Sequence, residues 1–197
     1  MLEIIIKDLK VEIRRRFEVL ASLSFVLISS LLIAQAGLMS KNIIYPAFFI
    51  VVIFLAVFTS TTSFLREMDS KTIYGLKLLP IHPYTVFLAK SLFTFLLIVF
   101  QGFLEMIFLA IFSNDFGLFA LAPIFLIFSF YIAVISSFSS ALVMYSEGRG
   151  FLIPMLIFIF TSPILIPLLR LDLFTLILET LSVSLAMVSL SPYILED

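Results

Sequence analysis

Three side chains able to bind protons or hydrogen bonds interrupt long apolar runs: Gln101, Glu105 and Glu179. Gln101 and Glu105 are four residues apart, so on a helix they share one face, a turn from each other. A carboxyl inside a bilayer is costly and is kept where it lines a polar path, relays a proton or completes a structural hydrogen-bond set. All three uses remain open for Glu105 and Glu179. Other chemistry is poorly provided for. The sequence has no Cys, hence no disulfide, thiolate nucleophile or cysteine metal site. Its one histidine, His82, has no second His or Cys for a metal set or a nucleophilic dyad. It is read as a solvated loop residue or a contact to a partner. No Gly-x-x-x-x-Gly-Lys-Ser/Thr run occurs, so any ATP must be hydrolysed on another chain. The expectation is a non-enzyme that binds no cofactor or metal itself. A net charge of −1 gives no reason to expect nucleic acid.

The elements that position these residues follow from composition. Of 197 residues, 62% are hydrophobic, 13% charged and 24 are Phe, with a mean hydropathy of +1.25. A soluble domain is nearer a quarter charged. Predominantly apolar windows run from Phe17 to Met39, Ile43 to Phe64, Leu88 to Phe112, Leu118 to Met144, Phe151 to Leu169 and Leu173 to Ile194. These runs are apolar on every face, which requires helices and not strands. The predicted fold is all-α: a polytopic membrane protein of six transmembrane helices forming a single domain over residues 1–197. Ten of the 12 Lys and Arg fall on one side of that layout, and only Lys41 and Arg170 on the other. The positive-inside rule then places both termini in the cytoplasm, in a plasma-membrane protein surrounded by lipid. An alternative treats residues 1–36 as a cleaved signal peptide ending at Ala34-Gln35-Ala36, which would leave five spans.

On the cytoplasmic face, Leu2, Ile5, Ile6, Leu9, Ile13 and Phe17 recur at helical spacing, with Lys7, Asp8, Lys10, Glu12 and Arg14 between them. Such a segment lies flat in the interface, either as a basic topogenic stretch or as an elbow that braces the bundle. In the long connection Leu65–Ala89, Asp69 or Ser70 is expected to cap a short amphipathic helix carrying Ile73, Leu76 and Leu79, which Pro80 stops. That helix either rests on its own bundle or offers a docking surface to a cytosolic partner. Pro83 fits the first turn of the third span, with Lys90 expected near the headgroups. Glu147-Gly148-Arg149-Gly150 reads as a tight turn in which Arg149 meets an acidic partner or the phosphates. Pro163 and Pro167 each lack an amide hydrogen, so the fifth span should break near its outer end. Ser136, Ser137, Ser139 and Ser140 form a small-residue patch suited to close helix approach, internal or between two copies.

Glu67, Thr72, Leu76, Leu78, Leu79, Pro80 and Ala89-Lys90 together resemble the cytoplasmic-loop pattern of CcmB-type permeases, the haem exporter family of cytochrome c maturation within the ABC-2 group. Gly148-Arg149-Gly150, Pro154 and Ser162 to Leu169 are similar to that family's Arg-Gly segment and proline-containing fifth span. The chain departs from the pattern at Lys71, Tyr74 and Phe151, where Gly, an acidic residue and Gly are usual. The resemblance implies an ABC-2 permease fold with an N-terminal elbow helix and a coupling helix between spans 2 and 3. It also implies a separate cytosolic ABC ATPase (CcmA-like), other cytochrome c maturation membrane subunits, a second permease copy and haem as cargo. The ATPase would dock on Glu67, Lys71, Thr72, Leu76, Lys77, Leu79 and Pro80. With no His or Cys in the spans, haem iron would be held by other subunits. Rival readings are a generic ABC-2 exporter of a lipid, glycan or drug, and an ATP-independent proton-coupled carrier using Glu105 and Glu179.

Overall fold

Apolar runs without a polar face can satisfy their amides in a bilayer only by hydrogen bonding within the segment, and the chain does so. Residues 2–14, 16–39, 43–73, 75, 81–146 and 148–196 are described in the structure, a computed structural model. The elements are α1 (Leu2–Arg14), α2 (Arg16–Met39), α3 (Ile44–Ser60), a π-helical turn (Thr61–Leu65), α4 (Arg66–Asp69), α5 (Pro83–Ser113), a 3-10 segment (Phe116–Leu121), α6 (Ala122–Val143), α7 (Arg149–Thr161), α8 (Leu165–Arg170) and α9 (Leu173–Glu196). No strand occurs among the described residues.

Five stretches are long and apolar enough to cross a membrane: Val19–Gly37, Ile44–Asp69, Pro83–Ser113, Phe116–Val143 and Leu173–Ile194. The run expected as a sixth is divided into α7, of 13 residues, and α8, of 6. Neither piece alone has the roughly 20 residues a span needs. Pro163 causes the division. Its missing amide leaves the carbonyl of Ile159 without its helical donor, and Ser162 supplies both its amide (3.3 Å) and its hydroxyl (2.8 Å) instead. The next carbonyl, Phe160 O, accepts from the Tyr131 hydroxyl of α6 at 2.7 Å. Pro167 does not break the chain further, because it falls in the first turn of α8, where no amide donor is required.

α5 and α6 form the centre. α5 packs on α1, α2, α3, α6 and α9, and α6 on α3, α5, α7 and α9. Every residue of α6 from Tyr131 to Ala141 is buried. The serine patch therefore serves an internal interface: Ser136 Oγ donates to Ala56 O of α3 (2.9 Å) and Ser137 Oγ to Thr94 Oγ1 of α5 (3.2 Å). α5 ends at Asn114, in the left-handed conformation with φ 52°, and Asp115 caps the 3-10 segment by accepting from the Gly117 amide at 3.0 Å. The turn-forming cluster between the third and fourth runs thus ends one helix and caps the next.

The closest approach in the core is at Gly102. A Cβ there would lie 2.4 Å from the Phe125 ring, which is wedged between the Phe48 and Phe103 rings at centroid distances of 5.5 and 5.4 Å. Fully buried, Phe125 has no room to yield. Gly102→Ala should therefore destabilise the bundle by about 1–3 kcal/mol despite its better helix propensity, measured as a lowered melting temperature in detergent.

Candidate functional site

α1 carries two faces. Leu2, Ile6, Leu9 and Ile13 are exposed, while Ile4, Asp8 and Glu12, spaced by four, are buried against the bundle. An acidic stripe turned inward needs cations to meet it, and α5 and α4 supply them. The Lys90 ammonium of α5, 1% exposed, lies 2.8 Å from Asp8 Oδ2 and 2.8 Å from Glu67 Oε1. Lys7 reaches Glu67 Oε1 at 2.5 Å and Asp8 Oδ1 at 3.4 Å. Arg66 Nη2 donates to Glu12 Oε2 at 2.7 Å. The Thr72 hydroxyl donates to the other Glu67 oxygen. Among the described residues, three cations and three carboxylates thus form a network that joins α1, α4 and the start of α5.

The arrangement is one of paired charges. Each carboxylate is engaged by a cation, so the network offers no free base or nucleophile. At Lys7, partial burial opposes the charge, but the hydrogen bond it donates to Glu67 and the Asp8 and Glu67 charges outweigh it and raise the pKa above the ordinary 10.5. Exposed at the other end of the bundle, Asp172 is held below the usual 3.8 by hydrogen bonds from Thr175, whose hydroxyl lies at 2.5 Å and whose amide lies at 3.5 Å. There it caps α9.

The structure brings together some of the residues singled out by sequence and separates others. Glu67 is 5% exposed and turned into the network. Thr72 and Lys71 are exposed beside it. Leu76, Lys77, Leu79, Pro80 and Glu147, and the side chain of Arg149, lie outside the described residues. Ser70 does not open a new helix: it closes α4, its hydroxyl bonded to Arg66 O at 2.6 Å, and Lys71 follows in the left-handed region at φ 58°. Lys90, expected at the headgroups, is instead among the largest fully buried side chains, because two carboxylates meet it there. In α5, Gln101 Nε2 donates to Ser22 Oγ of α2 at 3.1 Å. Glu105, one turn on, is fully buried, and neither carboxyl oxygen has a hydrogen-bond partner among the described residues. Glu179 on α9 is half-buried, with Oε2 likewise without a partner there.

Sequence reasoning missed Asp8, Glu12, Lys7 and Arg66 as site residues. The available signal was the Ile4-Asp8-Glu12 spacing, a stripe opposite the apolar one and beside runs whose ends carry Arg66 and Lys90. Compared with protein-family models, curated proteins and solved structures, the chain finds no match in any of the three.

Removing the Lys90 charge takes away the one buried cation of Asp8 and Glu67 and leaves them the half-exposed Lys7. Lys90→Met should cost about 3–5 kcal/mol, and adding Glu67→Gln should recover part of it, both read from thermal unfolding in detergent. The pH dependence has a definite sign. A folded-state pKa raised at Lys7 contributes stability that is complete below 10.5 and is lost as pH rises through the folded value. A spin label placed by Leu2→Cys, unique in a chain without cysteine, should show constant mobility from neutral pH up to about that value and greater mobility above it.

Proposed function

We propose that this chain is the membrane permease subunit of an ABC exporter of the CcmB, haem exporter type, driven by a separate cytosolic ATPase. One observation carries the reading: the charge network that fastens the segment after the second span to α1 and to the base of the third span. A push delivered to residues 70–79 would pass through Glu67 to Lys90 and hence into α5, the helix on which α1, α2, α3, α6 and α9 all pack. In this reading α1 is the elbow helix, the helical Ile73 and Gly75 belong to the coupling helix, and α7 with α8 is a broken sixth membrane element. Both termini face the cytoplasm of a plasma-membrane protein by the Lys and Arg asymmetry. The partners are the ATPase dimer, a second permease copy that matches its two docking grooves, and other cytochrome c maturation subunits that hold the haem. A generic ABC-2 exporter of a lipid, glycan or drug would share this layout, and haem-handling neighbours in the genome would separate the two.

A second reading, an ATP-independent proton-coupled carrier, is favoured by the fully buried Glu105 carboxyl without a hydrogen-bond partner among the described residues. One experiment decides between them. Tagged chain solubilised in mild detergent should co-purify with an ABC ATPase, and the complex, not the chain alone, should hydrolyse ATP. Lys71→Glu, an exposed charge reversal outside the buried network, should weaken co-purification while leaving the melting temperature unchanged. Recovery without any ATPase, together with proton-driven flux that Glu105→Gln abolishes, would overturn the permease reading in favour of the carrier.

A further inference from the structure

The residue spacing of α1 divides its surface into three sectors, set roughly evenly around a helix that turns by about 100° per residue. Ile4, Asp8 and Glu12 face the bundle. Leu2, Ile6, Leu9 and Ile13 form an exposed apolar sector. Glu3, Lys7, Lys10 and Arg14 form the third sector, also exposed. With the bundle on one flank and acyl chains against the apolar sector, the third sector is turned toward the headgroups.

The charges of that sector are unequally engaged. Lys7 is taken up by Glu67 and Asp8. Lys10 and Arg14, one turn apart on the same stripe, have no ion pair among the described residues. The carboxylates of the network cannot serve them, because Lys90 and Lys7 hold Asp8 and Glu67, and Arg66 holds Glu12. Glu3 lies about 10 Å from Lys10 and about 16 Å from Arg14 along the axis, at 1.5 Å per residue. Two adjacent exposed cations bordering an exposed apolar stripe suit a partner with an anionic head and an apolar body. A soluble anion or an acidic protein segment would use the cations and leave the stripe uncovered. An anionic phospholipid supplies both parts, a phosphate for the two cations and a chain for the stripe.

We propose that Lys10 and Arg14 of α1 bind the phosphate of an anionic phospholipid whose acyl chain lies against Ile6, Leu9 and Ile13. The site rests on the membrane placement of the chain and does not depend on the ATPase-driven reading. It makes no use of the side chains of Arg15, Arg16 and Glu18, which lie outside the described residues.

The test uses the absence of Trp from the sequence. Ile13→Trp places one fluorophore next to Arg14 on the exposed apolar sector of α1, and Leu185→Trp places one on the exposed face of α9. Each full-length variant is reconstituted in vesicles of phosphatidylglycerol and phosphatidylcholine in which one lipid or the other carries a brominated chain. Brominated phosphatidylglycerol should compete for the α1 reporter roughly fivefold better than brominated phosphatidylcholine, the worth of one basic residue at a membrane surface. The preference should fade in about 1 M salt, and the two lipids should quench the α9 reporter equally. Lys10→Gln with Arg14→Gln, in the α1-reporter background, should abolish the preference, while Lys10→Arg with Arg14→Lys should keep it. Equal quenching by the two lipids at the α1 reporter, as expected if Arg14 pairs with Glu18 or if an acidic protein segment is the partner, would overturn the proposal. So would a preference that survives the double glutamine variant, which would belong to Arg15 or Arg16, or a preference equally large at α9. The lipid comparison keeps Lys10 and Arg14 intact, so it decides even where the glutamine variant does not fold.

Discussion

A lysine ammonium buried at the base of α5 dictates how the α1 end of this bundle is assembled. Lys90 is 1% exposed, and an unpaired charge in such a place costs several kcal/mol. One carboxylate close by is not enough, since the ammonium has three protons to place. Glu67 answers from the segment that follows α3 and Asp8 answers from α1, each at 2.8 Å. Two segments that are far apart in sequence are thereby fixed to one helix. α1, whose outer face is apolar, is held by charge on its inner face and by lipid affinity on the other. Neither force alone would set its rotation, because an amphipathic helix resting on a membrane is free to slide along it.

The same economy of partners governs the irregular parts of the spans. The π-helical turn at Thr61–Leu65 releases backbone groups from the regular ladder, and Ser140 Oγ of α6 accepts the Leu65 amide at 3.3 Å. At the Pro163 break, Tyr131 from the same helix caps Phe160 O. α6 thus supplies one hydroxyl, from Ser140 or Tyr131, at each of these two places, while Ser136 and Ser137 bond to α3 and α5. Hydrogen bonds of this kind inside a bundle are individually modest, near 1 kcal/mol, but the unsatisfied alternative is worse.

Much of this was readable from sequence, and the limits have physical causes. Span positions follow from hydropathy alone, so the windows beginning at Phe17, Ile43, Leu118 and Leu173 fall on α2, α3, α6 and α9. The proline break follows from a missing amide at Pro163. The ion network was not legible, because Lys7 and Glu67 are 60 residues apart and no local rule pairs them. Periodicity assigned α1 its apolar stripe but gave no reason to look for a buried acidic one, since charges on an amphipathic helix ordinarily face water. Lys90 was misplaced for the same reason: a lysine near the end of a span ordinarily snorkels, and only the opposing carboxylates keep it in. Asp69 or Ser70 is the expected cap of a new helix because a polar residue before an apolar run usually is one, but Asp69 ends α4 and Ser70 closes it. The left-handed Lys71 that follows it reverses the direction of the cap.

The network also restricts where the bundle can bend. Separating Lys90 from Glu67 or Asp8 in a low-dielectric setting requires each charge to be rehydrated or stranded, so α1, α4 and the first turns of α5 favour moving as one body. Flexure must then occur where the helical ladder is already interrupted. Such places include the π turn immediately before α4, where Ser63 sits at φ −86°, ψ −119°, and the Ser162–Ile164 junction between α7 and α8. The first lies at the margin of the rigid body, where a rotation of α4 would be taken up with the loss of one weak bond to Ser140. The charge network and the π turn thus adjoin, a set of paired buried charges beside an interruption of the helical ladder.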